Sequence, residues 1–138
     1  MRLLLDTCVL SEVRHPQGST KVKGFVRACN DADLFVSVIS IGELVRGISL
    51  LAESPRKSAL SRWLNELEDH FADRILSIDT EAGRIWGEIT ALRQRAGRPL
   101  PTADGLIAAT GVWHGLHIAT RNTADFESTG ALIINPWS

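Results

Sequence analysis

Three consecutive leucines, Leu3-Leu4-Leu5, end abruptly in an acid and a hydroxyl, Asp6-Thr7. A short apolar run without polar alternation is the pattern of a strand buried on both faces. Such strands belong to parallel sheets covered by helices on each side. The run therefore points to an α/β architecture before any other segment is read, and it places Asp6 at the carboxyl end of the first strand. In open α/β sheets that edge is where ligands bind.

The remaining segments alternate as that architecture requires. Helices are expected over residues 7–14, 19–30, from about 40 through 51, from Pro55 to about Phe71, from Thr80 to about Ala96, and from Thr102 to Trp113, with Gly115 as the stop. Strands are expected at residues 34–38, 75–78, 116–120 and 132–134, and the segment 121–126 reads as a loop with at most one helical turn. Val9, Leu10 and Val13 should face inward from the first helix; Ile41, Leu44, Val45, Ile48 and Leu51 from the third; and Ile85, Trp86, Ile89 and Leu92 from the fifth. The expected fold is a three-layer α/β domain. Its central, mostly parallel sheet has four to five strands with helices on both faces, and residues 1–138 form a single domain.

Composition removes several function classes. No apolar run reaches membrane-spanning length, and Asp6 interrupts the first one too early for a signal peptide, so a cytoplasmic protein without membrane attachment is expected. Cys8 and Cys29 lack metal-type or redox-type spacing. Cys8 reads as a small apolar side chain of the first helix, since no base is identifiable for a nucleophilic role. A net charge of −1 argues against a generic nucleic-acid coat. It leaves room for a nuclease: with four of the 16 acids committed to one site, bases outnumber acids on the rest of the chain.

Those four acids share one placement. Asp6 ends the first strand, Glu43 begins the helix after the second, Asp104 begins the helix leading into the fourth, and Asp125 lies in the loop after the fourth. All can reach the carboxyl edge of the sheet. Taken singly, Glu43 and Asp104 also suit the first turn of a helix, where the dipole favours an acid. Together they form a carboxylate cluster, which repels itself unless a cation sits within it. Oxygen ligands without His or Cys suit Mg²⁺ or Mn²⁺.

Four segments, LLLDTCVLSE, VSVISIGELVRGI, PLPTADGLIAATGVWHGLHIATRNTADFE and the terminal IINPW, together resemble the PIN-domain ribonucleases of the VapC toxin type, closest to the FitB-like branch. The resemblance covers essentially the whole chain. It implies a toxin of a type II toxin–antitoxin module, an endoribonuclease that hydrolyses RNA phosphodiester bonds with Mg²⁺ or Mn²⁺. It makes Asp6, Glu43 and Asp104 the core triad and Asp125 the fourth acid, all as catalytic and metal-binding residues. Thr7, Thr120, Asn122 and Arg121 stand beside them as ligand-orienting or substrate-positioning groups. It also implies a homodimer, a cognate VapB/FitA-like antitoxin that blocks the acidic pocket, a tRNA- or rRNA-class substrate, and a larger assembly on operator DNA.

Two other classes compete. A phosphatase of the haloacid-dehalogenase type also begins with a strand ending in Asp, but it needs a second Asp where this chain has Cys8, and a downstream Lys. A catalytically silent interaction module would use the acids only to bind a partner. Among the basic residues, Arg93 and Arg95 read as a solvated helix face, while Arg14, His15, Arg46 and Arg98 are candidates for gripping phosphates. His114 and His117 do not make a metal pair. Trp63, Trp86 and Trp113 read as core or subunit contacts, and Trp137 as packing against the domain.

Overall fold

The computed structural model describes residues 1–138. Five parallel strands form the sheet: β1 (Leu3–Leu5), β2 (Leu34–Ser37), β3 (Ile75–Leu76), β4 (His117–Ala119) and β5 (Leu132–Ile134), in the spatial order β3-β2-β1-β4-β5. The triple leucine is the central strand. Leu4 sits between Phe35 of β2 and Ile118 of β4. Its three residues divide between the two faces as the pleat demands. Leu3 and Leu5 join Val9, Val22, Val36 and Phe71 in one core; Leu4 joins Ile89, Ile107, Ala108, Leu116 and Phe126 in the other.

Helices cover both faces. α1 (Thr7–Arg14), α2 (Thr20–Ala28) and α4 (Pro55–His70) close the first core, and α5 (Thr80–Arg95), α6 (Thr102–His114) and the short α7 (Thr123–Phe126) close the second. α3 (Val38–Ser49) follows β2 directly. Most starts are capped by a side-chain oxygen: Ser19, Ser37, Ser54 and Asp79 accept from backbone N–H groups two or three residues on. Gly115 ends α6 in the left-handed region, at φ 66°, which suits a residue without a Cβ. No helix is long and apolar enough to cross a membrane.

The chain places β1, β2 and β3 outward in one direction, then crosses to β4 and β5 on the other side. The reversal falls between β1 and β4. In open α/β sheets such a switch point is where ligands bind at the carboxyl edge.

Several expectations are corrected in detail. Ser37, fully buried at the end of β2, accepts from Ile39 N–H at 3.0 Å, so α3 begins at Val38 and not near Ser40. Glu43 therefore lies in the second turn of α3, not the first. The α3 stripe is only partly covered: Val45 is 44% exposed, and Ile41, Leu44, Ile48 and Leu51 are half-buried, because a groove remains open between α1, α3 and α4. On α5 the expected roles of two neighbours are exchanged. Leu92 is 59% exposed and Arg93 is buried. Val13 and Trp113 are exposed, and β3 shrinks to two residues.

Candidate active site

Asp6 stands at the carboxyl end of β1, at this switch point, only 4% exposed. Its backbone continues the sheet, since its N–H donates to Ala119 O of β4 at 3.0 Å, and it also caps α1. Its carboxylate is held from both sides. Oδ1 accepts from Thr7 N–H at 2.8 Å, and Oδ2 accepts from the fully buried hydroxyl of Thr120 at 2.8 Å. The ends of two adjacent strands, β1 and β4, thus fix one carboxylate. These bonds leave the carboxylate with further lone pairs able to accept.

Thr7 links Asp6 to the next acid. Its hydroxyl donates to Glu43 Oε1 at 2.7 Å and lies 2.9 Å from Ser40 Oγ. Ser40 is fully buried inside α3, three residues before Glu43, so it fixes the rotation of that helix against α1. Glu43 itself is exposed.

Asp104 lies in the first turn of α6, a helix with no side-chain cap. Packing of α6 on α5 sets its position. Gly105 makes this close approach possible: a Cβ there would lie 3.0 Å from the indole of Trp86. The Asp104 carboxyl is pushed up to about 6, first by burial and then by the charges of Asp6, Asp125 and Glu43, in that order. The other three predicted acids therefore all bear on Asp104. None of the four is within ion-pair distance of a Lys, Arg or His; the chain's ion pairs join Lys57 to Glu53, His70 and Arg74 to Asp31, and Arg74 to Asp73.

The remaining predicted residues divide. Asn122 is exposed and works through its backbone: its N–H donates to Thr120 Oγ1 at 3.0 Å, and its carbonyl accepts from Asp125 N–H at 3.1 Å. Arg121 is exposed and stacks on Trp137, its guanidinium 5.4 Å from the ring centre. Arg14 stacks in the same manner on Trp63, at 5.9 Å. Cys8 packs beside Asp6 and Thr120, its Sγ 3.6 Å from Asp6 Oδ2, and burial pushes its thiol up. Raised in this way it is a weak nucleophile, as its sequence context implied. Two contributors escaped the sequence reading. Ser40 carries no local signal. Arg93 carries one, because it continues the inward spacing of Ala82, Trp86 and Ile89 along α5.

These acids do not gather three to a point where one ion would touch all of them. The donor set nevertheless fits a hard divalent cation. Mg²⁺ is commonly held by one or two carboxylates and keeps several waters, and an acid cluster without basic partners calls for added positive charge.

The PIN domain family model matches residues 3–132. The chain is a PIN-domain protein. It belongs with the VapC- and FitB-type toxins of that family: the toxin FitB of Neisseria gonorrhoeae is 35% identical over 136 residues, 98% of each chain. The VapC ribonuclease Y4jK of Sinorhizobium fredii is also 35% identical, covering 98% of this chain and 97% of its own. Among solved structures, FitAB bound to an IR36 DNA fragment superposes with a TM-score of 0.92 at 32% identity, covering 99% of this chain and 96% of that one. Neither the phosphatase nor the silent-module reading gains any support from these relatives.

Proposed function

We propose that this PIN domain, spanning residues 1–138, is the toxin of a VapBC/FitAB-type pair. In this reading it hydrolyses RNA phosphodiester bonds in the cytoplasm with Mg²⁺ or Mn²⁺. The observation that carries the reading is the placement of Asp6, Glu43 and Asp125 around Asp104, with no ion pair inside the chain to compensate any of the four.

Asp6 and Asp104 would hold the cation, with Glu43 and Asp125 completing the set directly or through water. When bound, the cation supplies Lewis acidity toward water and positive charge against the phosphoryl oxygens. The chain's own residues do the rest. Thr7 N–H and the Thr120 hydroxyl hold the Asp6 carboxylate in one orientation, so its ordering cost is met during folding. The Thr7 hydroxyl holds Glu43 by the same logic. Asp104, raised to about 6, holds its proton only below neutrality, and a positive charge placed beside it would favour the ionised form.

A groove of about 370 Å³ leads from Thr7 and Glu43 past Arg14 to Trp63, with Leu44, Ile48, Leu51 and Leu60 along its wall. Its apolar wall suits an amphipathic segment of a VapB/FitA-like antitoxin, and an arginine from that segment would complement the acids. The toxin would act as a homodimer, with a tRNA- or rRNA-class substrate, and would join its antitoxin on operator DNA.

The test incubates purified, antitoxin-free protein with total RNA, with and without Mg²⁺ or Mn²⁺. Cleavage should require the cation and stop with EDTA. Cleavage that survives EDTA would overturn the reading; discrete fragments would identify the RNA.

A further inference from the structure

All four acids lie beyond the strand ends: Asp6 directly after β1, Glu43 on α3, Asp104 on α6 and Asp125 on α7. Asp104 stands in the first turn of α6, after the loop 97–101, and Asp125 on the short α7 that follows β4. Behind both is Arg93, near the end of α5 and only 6% exposed. Its Nε donates to Arg98 O at 2.9 Å, on the loop leading to Asp104. Its Nη1 donates to Asp125 O at 3.2 Å and to Glu127 O at 2.9 Å. No carboxylate pairs with it.

A buried guanidinium without an acid is costly, and satisfying backbone carbonyls is what offsets the cost. For packing alone an apolar residue would serve better here, on the inward stripe of Ala82, Trp86 and Ile89. The turn that Arg93 grips is also strained. Ser128 has φ 61°, a left-handed conformation that side chains other than Gly, Asn and Asp rarely adopt, and Gly130 follows at φ 84°. Thr129 donates back to Phe126 O within the same turn. Such a turn depends on contacts to keep its shape.

We propose that Arg93 is a positioning residue of the acidic site, tying the segment that leads to Asp104 to the segment that carries Asp125 and so fixing the separation of the two acids. It acts only through carbonyls and touches no reacting atom. The planar fork explains the residue type, since Nε and Nη1 reach two segments that lie in different directions. The proposal rests on the reading of Asp104 and Asp125 as cation-holding acids.

Arg74 supplies a matched control. It also donates to three backbone carbonyls, those of Asp31, Leu34 and His70, but at the opposite edge of the sheet. Mn²⁺ binding to the purified full chain is followed by loss of the free-ion electron paramagnetic resonance signal, with melting temperatures recorded in parallel. Arg93→Met should weaken Mn²⁺ binding roughly ten- to a hundredfold, the usual cost of losing an outer support of a metal site. Arg93→Lys should recover part of that loss. Arg74→Met should lower the melting temperature and leave Mn²⁺ binding unchanged. Unchanged affinity in Arg93→Met, or an equal loss in Arg74→Met, overturns the proposal. If Arg93→Met does not fold, Arg93→Lys carries the comparison, and wild-type affinity in that variant overturns it equally. Asp104→Asn separates the two levels: wild-type Mn²⁺ affinity there overturns the reading of the acids, and the role of Arg93 with it.

Discussion

At the amino edge of the sheet, Asp31 lies 2.9 Å from His70 Nε2 and 3.1 Å from Arg74 Nη2. At the carboxyl edge, Asp104 faces Asp6, Asp125 and Glu43. The hydrogen bond from His70 leads the causes that hold Asp31 below the usual carboxylate range, whereas burial and like charge push Asp104 up to about 6. Both edges belong to the same sheet. The amino edge is arranged so that its charges cancel within the chain. The carboxyl edge leaves its charges uncancelled, which a protein tolerates where the missing partner comes from outside.

The largest effect expected from this contrast is on chemistry. Asp6→Asn or Asp104→Asn should lower the rate of RNA cleavage by about a thousandfold or more, the scale seen when a key electrostatic group of an active site is lost. Asp31→Asn should leave the rate unchanged. The measurement is initial rate under saturating Mg²⁺ or Mn²⁺, with growth of cells expressing each variant as a second readout. If Asp31→Asn slowed cleavage as much as Asp104→Asn, the two edges would not differ in function.

A smaller effect tests how the carboxyl edge is held. Thr120→Val keeps the shape of a fully buried side chain and removes the hydroxyl that donates to Asp6 Oδ2. Cleavage should fall roughly tenfold, in line with the loss of a hydrogen bond that orients a ligand. Thr110 is equally buried, but its hydroxyl donates to Leu106 O within its own helix. Thr110→Val should therefore not alter the rate, and parallel losses in both variants would reduce the Thr120 effect to stability.

What the sequence disclosed about these edges follows the range of the interactions. Leu3 to Leu5 and Asp6 were legible because a doubly buried strand must be apolar throughout, and the polar residue that ends it marks the sheet edge. The order of strands and helices followed from similar local patterns. The start of α3 was not legible, because it depends on where β2 ends, and Ser37 still pairs with Leu76 of β3, far along the chain. The exchange between Leu92 and Arg93 was hidden for a related reason. A helical stripe gives the direction of a side chain, but what waits there, one carbonyl just past the helix end and two from the distant segment 125–127, is set by the tertiary fold. Arg93 follows Ile89 by four residues, which is inward spacing; its charge argued for solvent, and the carbonyls decided the matter.

The smallest effects should be on stability, and they should have opposite signs at the two edges. Asp104 has a raised carboxyl in the folded chain. Its contribution to stability is therefore greatest below the unfolded-state value and is lost as pH rises through about 6. In EDTA, Asp104→Asn should melt above the wild type by roughly 2–6 °C at about pH 7, and the two should converge near pH 4. Asp31 is held low, so its contribution is present above the unfolded-state value and disappears as pH falls through the lower, folded-state one. Asp31→Asn should thus melt slightly below the wild type near pH 7, by no more than an exposed ion pair provides. Scanning calorimetry of the three proteins across this range measures both signs at once. A cation should reverse the first and leave the second, because saturating Mn²⁺ stabilises only chains that bind it, by about 2.7 kcal/mol at a hundred times the dissociation constant. Wild type would then melt above Asp104→Asn, and the acid that weakens the metal-free fold would be the one that strengthens the loaded fold. Were Asp104→Asn still the more stable protein in Mn²⁺, the uncancelled charge at the carboxyl edge would have no cation to meet it.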